Sequence, residues 1–177
     1  MGENKKYFGP ITNNRLLVLL YRKIFGKDLP SWFRKNSIFI IIIKPLRKFL
    51  NVVIIPNIPF NTIRIWLYRM IGYSIGKNVF IGMKCYLDDV KPNFMTIEDN
   101  VTISYSCIFA THGRAGNSWA NKPILIKQGS YIGAGSIILP GVVIGKDVTV
   151  AAGSVVTKNF KDSLTIAGVP AKIIKIE

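Results

Sequence analysis

A six-residue beat fills the C-terminal half of the chain. Large apolar residues recur at Ile75, Ile81 and Leu87, then Ile97, Ile103 and Phe109, then Ile126, Ile132, Ile138, Ile144, Val150 and Val156. An α-helix repeats near 3.6 residues and a strand at two, so neither needs this period. A chain that turns a corner every six residues does, and such a chain stacks on itself. The hexads share a grammar. The first residue is usually Ile, Val or Leu, the second often Gly or Ala, and the fifth small or β-branched, as in Ile132-Gly133-Ala134-Gly135-Ser136-Ile137. The leading aliphatic side chains point inward and stack one turn apart, while Gly, Asn and Asp suit the corners. Three hexads close a triangular turn, so parallel strands are expected on each flat face.

The breaks in the beat are as informative as the beat. Leu87 and Phe109 are 22 positions apart, four more than three hexads, and the excess is expected within Lys91–Thr96. Phe109 and Ile126 are 17 apart, which is no whole number of hexads. Extra chain must leave the body there, near 113–123. The protein's one histidine, His112, stands at that break. A loop at such a place can wall off a cleft. Imidazole is the side chain whose charge changes near neutral pH, so His112 is the candidate general base.

Charge divides the chain differently. Residues 1–72 hold thirteen Lys/Arg and two acidic residues, whereas 73–177 hold eleven and seven. We therefore read 1–72 as a basic, amphipathic, largely helical segment and 73–177 as a repeat domain. The basic residues stand among apolar clusters at Arg15–Phe25, Ser37–Ile43 and Ile63–Ile71. No apolar run reaches the roughly 18 residues a spanning helix needs, because Lys44, Arg47, Lys48, Pro56 and Pro59 interrupt. No signal peptide is evident. The combination fits an anionic membrane surface, with Lys and Arg on headgroups and apolar side chains in the acyl boundary. Helices packed on the repeat body as a cap or subunit contact are the alternative. Nucleic-acid binding is disfavoured, since it spends basic residues with polar ones rather than beside an Ile-rich run. Cys85 and Cys107 both occupy the fifth place of their hexads and read as core residues rather than a disulfide framework.

The tail motifs carry a resemblance. Pro123-Ile124, Tyr131-Ile132-Gly133-Ala134-Gly135, Leu139-Pro140-Gly141, Ile144-Gly145, Ala152-Gly153-Ser154-Val155-Val156-Thr157-Lys158 and Ala167-Gly168-Val169-Pro170-Ala171-Lys172 follow in order. This series is similar to the hexapeptide-repeat acyltransferases, and within them to the galactoside and maltose acetyltransferase branch. The stretch Asn61–Gly76 resembles the O-acetyltransferases of capsule and exopolysaccharide gene clusters. The resemblance implies a mainly β fold, a left-handed parallel β-helix assembled as a homotrimer. It implies acetyl-CoA as cosubstrate and a sugar or lipid-linked glycan as acceptor. The basic, apolar residues of 1–72 are expected to hold the protein on the cytoplasmic face of the bacterial inner membrane. N-acetylation of an amino sugar, or acetylation of another small hydroxyl compound such as an antibiotic, is the enzymatic alternative, and an inactive β-helix membrane scaffold the non-enzymatic one.

The resemblance assigns residues as well. It places the general base at His112. It implies CoA contacts at Tyr131, Gly133, Ala134, Ala152, Thr157, Lys158 and Lys172, the last where the branch often carries Arg. Ala134 stands where the galactoside branch has Ser, so the backbone amides around Gly133–Gly135 become the candidate oxyanion donors. On the acceptor side, Asp89 is placed one turn below Thr111, where it can bind a sugar hydroxyl or orient the imidazole. Arg114 and Trp119 are candidate sugar contacts from their place on the loop alone, with no family motif behind them. No metal is expected, because the three-histidine zinc site of the related γ-class carbonic anhydrases needs more than one histidine.

Overall fold

The computed structural model describes residues 19, 22–23, 26, 38–115 and 118–176, with 38–42, 114–115 and 118–120 described for the backbone alone. Contacts divide the chain into two units, Met1–Lys48 and Phe49–Glu177. Helix α1 (Ile38–Phe49) closes the first unit with Arg47 and Lys48 in its last turn. Ile43, Leu46 and Phe49 on it are exposed. Most of Arg15–Phe25 lies outside the described residues, apart from Leu19, Arg22 and Lys23, and so do Ser37 and the side chains of 38–42. No helix among the described residues is long and apolar enough to cross a membrane.

The second unit is mainly β. Its strands are mostly two residues long and are dealt in turn to three sheets. The first sheet takes β1 (Ser74–Ile75), β4 (Met95–Ile97), β9 (Ile124–Ile126) and β12 (Val143–Ile144). The second takes β2 (Phe80–Ile81), β5 (Thr102–Ile103), β10 (Tyr131–Ile132), β13 (Thr149–Val150), β15 (Leu164–Gly168) and β16 (Ala171–Ile176). The third takes β3 (Tyr86–Leu87), β6 (Ile108–Phe109), β11 (Ile137–Ile138) and β14 (Val155–Val156). Pairing is parallel throughout except for β15 with β16. Two remaining strands, β7 (His112–Ala115) and β8 (Ser118–Asn121), form an antiparallel ribbon of their own.

The leading hexad residues are the core. Ile81, Ile103, Ile132 and Val150 are fully buried in register on the second sheet, as are Leu87, Phe109, Ile138 and Val156 on the third. Register follows the breaks in the beat. Leu87 pairs with Phe109, Phe109 with Ile138 and Ile138 with Val156, so the turns take 22, 29 and 18 residues. The first excess contains the 3-10 turn Pro92–Phe94, and the second is the β7–β8 ribbon. Cys85 and Cys107 are buried and free.

Corner chemistry is regular. The fourth residue of nine hexads, all but those led by Leu87, Phe109 and Val156, has φ between 52° and 85°: Asn78, Lys84, Asn100, Ser106, Gly129, Gly135, Gly141, Asp147 and Gly153. The second residue meets a different demand. A Cβ on Gly82 would stand 2.5 Å from Tyr105 N, and one on Gly133 2.4 Å from Ala152 N. Glycine there lets one turn approach the backbone of the next.

The first turn of the stack has an open edge, and residues 51–73 close it. Helix α2 (Asn61–Met70) buries Arg64, Ile65 and Tyr68 against it. Asn61 accepts from Ile81 N–H (3.0 Å) and donates to Val79 O (3.0 Å). Arg64 donates to Ile81 O and Ile58 O, and Arg69 Nε to Ile75 O (3.0 Å). Asn51 donates to Leu87 O (2.6 Å). Tyr73 Oη donates toward both Leu87 O (2.9 Å) and Asp88 O (2.8 Å). The segment from Phe49 onward therefore packs with the repeat body, while Ile63, Trp66 and Met70 on α2 stay exposed.

Candidate active site

His112 opens the β7–β8 ribbon just after the third-sheet strand β6. Its position is set by Asp88, one turn below. Asp88 follows Leu87 and is itself fully buried. Its Oδ2 accepts from Thr111 N–H (2.7 Å) and His112 N–H (3.0 Å), and lies 2.5 Å from His112 Nδ1. Its Oδ1 accepts from Val90 N–H (3.0 Å). Burial alone would raise the Asp88 carboxyl. The bonds from Val90 N–H, the His112 ring and Thr111 N–H outweigh it and hold the carboxyl below its ordinary value. The group is thus an ionised acceptor at neutral pH. It fixes the imidazole with Nδ1 toward the protein and Nε2 on the side away from Asp88. A carboxylate on Nδ1 sets the tautomer that makes Nε2 a base. The imidazole side chain remains 35% exposed, so a substrate can reach it.

The residue beside His112 is Asp88 and not Asp89. Asp89 Oδ1 accepts from Tyr86 Oη (2.8 Å), on the same turn. The signal for Asp88 lay in the hexad grammar. Asp88 occupies the second place after Leu87, the place held by Gly in Ile81-Gly82 and Ile132-Gly133. Second-place residues face the backbone of the next turn. At Asp88 that backbone is Thr111–His112, at the mouth of the ribbon, where the carboxylate fits between turns.

The remaining candidates are dispersed. Arg114 and Trp119 pair across the ribbon, and their side chains lie outside the described residues. Tyr131 is exposed on the outer face of the second sheet. Ala134 and Ala152 share the corner between second and third sheets, where Gly153 N–H donates to Ala134 O (2.8 Å). Thr157 and Lys158 are exposed just after the third-sheet strand β14, with Lys158 Nζ 5.7 Å from the centre of the Phe160 ring. Lys172 is exposed on β16. Gly133 serves the stack itself, because it is buried and its N–H donates to Val150 O (2.8 Å). That amide is engaged and does not face an oxyanion. Gly135 N–H likewise donates to Tyr105 O (3.1 Å). Among the described residues, no three His, Cys, Asp or Glu side chains converge as metal ligands would.

Known proteins share the repeat and the fold. Residues 123–158 match the model of the bacterial transferase hexapeptide (six repeats). The galactoside O-acetyltransferase of Escherichia coli (strain K12) is 32% identical over 121 residues, covering 62% of this chain and 60% of that enzyme. A hexapeptide-repeat-containing acetyltransferase of Vibrio cholerae superposes with a TM-score of 0.67 at 26% identity, over 79% of this chain and 93% of that one. A maltose O-acetyltransferase of Clostridium difficile 630 superposes with a TM-score of 0.65 at 25% identity, over 80% and 90% respectively.

Proposed function

We propose that this chain, whose residues 123–158 match the hexapeptide transferase repeats, is an acetyl-CoA-dependent O-acetyltransferase acting on a sugar hydroxyl in bacterial surface-polysaccharide synthesis. The observation that carries the reading is the 2.5 Å contact between His112 Nδ1 and Asp88 Oδ2 at the base of the ribbon. A sugar hydroxyl is a poor nucleophile at neutral pH. His112 Nε2 takes its proton as the oxygen attacks the thioester carbonyl carbon. The tetrahedral intermediate collapses with loss of the C–S bond, and the imidazolium returns the proton to the departing thiolate. Asp88 stabilises the imidazolium without itself becoming protonated.

In this reading the repeat body is a left-handed parallel β-helix, in line with its parallel sheets and its structural relatives. The cosubstrate lies along Tyr131, Ala134, Ala152, Thr157, Lys158 and Lys172. Lys158 and Lys172 act as point charges for its phosphates. These residues flank different edges of the third sheet or stand on the second, which supports a site shared between subunits of a homotrimer. The basic residues of 1–72 and the exposed Trp66 and Ile63 support a place on an anionic membrane surface, where a lipid-linked glycan would be presented.

Thiol release from acetyl-CoA with candidate sugars, read alongside mass spectrometry for one added acetyl group, tests the activity. His112→Ala should lower turnover about 10²–10⁴-fold while leaving the circular dichroism spectrum and assembly unchanged. Wild-type turnover in that variant would refute the general-base assignment.

A further inference from the structure

We infer that Asn121 is a specificity-determining residue of this site, and that its carboxamide binds the hydroxyl vicinal to the one acetylated. The inference rests on the acetyltransferase reading above. In the ribbon, His112 pairs directly with Asn121. The neighbouring backbone bond runs from Lys122 N–H to Thr111 O (2.8 Å), one step outside the pair. That pattern makes His112–Asn121 a non-hydrogen-bonded pair, the kind in which facing side chains are nearest. The His112 N–H confirms it, because it points off the ribbon to Asp88 Oδ2 (3.0 Å) instead of across to β8.

Directly opposed residues project from the same face with Cβ atoms about 4.5–5.5 Å apart. The carboxamide of Asn121 therefore stands alongside the imidazole of His112, and Asn121 is exposed. Two polar tips at that separation match two adjacent hydroxyls of a sugar ring, one meeting Nε2 and the other the carboxamide. An amide both donates and accepts, so it can hold a hydroxyl without a charge that would perturb the base. Strand propensity does not account for Asn here, since Asn is depleted in strands. Nor does the ribbon need its side chain, because the base of the ribbon is closed by the backbone bond of Lys122.

The test uses full-length protein and a panel of methyl hexopyranosides (gluco, galacto and manno) with their monodeoxy analogues. Thiol release should favour the accepted diol over its vicinal deoxy analogue by about five- to tenfold in kcat/KM, and Asn121→Ala should erase that preference. KM for acetyl-CoA should stay unchanged, and Asn121→Gln should restore part of the discrimination. NMR gives an independent reading, because the protein has a single histidine. Sugars that shift the His112 ring signals should also shift the Asn121 side-chain amide. The inference is overturned if the variant keeps the diol preference, or if no sugar in the panel moves the Asn121 amide. Failure of the parent reading is separate: it would appear as acetyl transfer that persists in His112→Ala.

Discussion

Asp88 accepts from Val90, Thr111 and His112, and two functions meet in it. It ties the Val90 turn to Thr111 and it orients His112. Asp88→Asn brings an NH₂ group against N–H donors and removes the charge that selects the imidazole tautomer. We expect turnover to fall at least about 10²-fold, with the ¹⁵N spectrum of His112 reporting a mixture of tautomers. Stability should respond to pH with a definite sign. A carboxyl held below its ordinary value in the folded state contributes stability above its unfolded pKa, about 3.9. That contribution is lost as pH falls through the lower folded value. The wild type should thus be more stable than Asp88→Asn at pH 6, by about 1–3 kcal/mol, and should begin to lose the advantage as pH falls below about 4 toward the lower folded value. Thermal melts across that range decide it.

Turns and strands explain why glycine is not interchangeable along the beat. At Gly133 an added Cβ would meet Ala152 N at 2.4 Å, a contact with backbone that no side-chain rotation relieves. Gly133→Ala should separate two turns and cost roughly 1–3 kcal/mol or more. At Gly153 nothing lies within 4 Å of the added atom, and the cost is the left-handed backbone at φ 69°, about 1–2 kcal/mol. Urea unfolding of the two variants should rank them in that order. The cap over the first turn makes a different demand. Arg64 is 1% exposed and satisfies the Ile81 and Ile58 carbonyls. Arg64→Leu leaves those acceptors buried and unbonded and bares a strand edge. Its melting temperature should drop by several degrees and the protein should aggregate on heating, as light scattering would show.

The chain as a whole joins a basic, apolar N-terminal segment to a repeat body, and the junction lies near Lys48. If residues 1–72 hold the enzyme on a membrane, full-length protein should float with phosphatidylserine vesicles and be released by salt. Replacing Lys44, Arg47 and Lys48 together by Gln should weaken binding by about 1 kcal/mol per charge. Equal flotation with neutral vesicles would remove charge from the explanation. What could be read from residues alone follows from local physics. A six-residue period needs inward aliphatics, permissive corners and strands on flat faces, and each is encoded within a single hexad. The break at His112 was equally legible, because a lost phase is visible in the spacing. The partner of His112 was not. Asp88 and Asp89 are adjacent and chemically identical, and the choice depends on how a 22-residue turn distributes its four extra residues. The same holds for Arg64, whose charge suggested a surface, and for Asn51 and Tyr73, which no motif marks. Their burial is decided by the open strand edge they close, a demand that exists only once the turns are stacked.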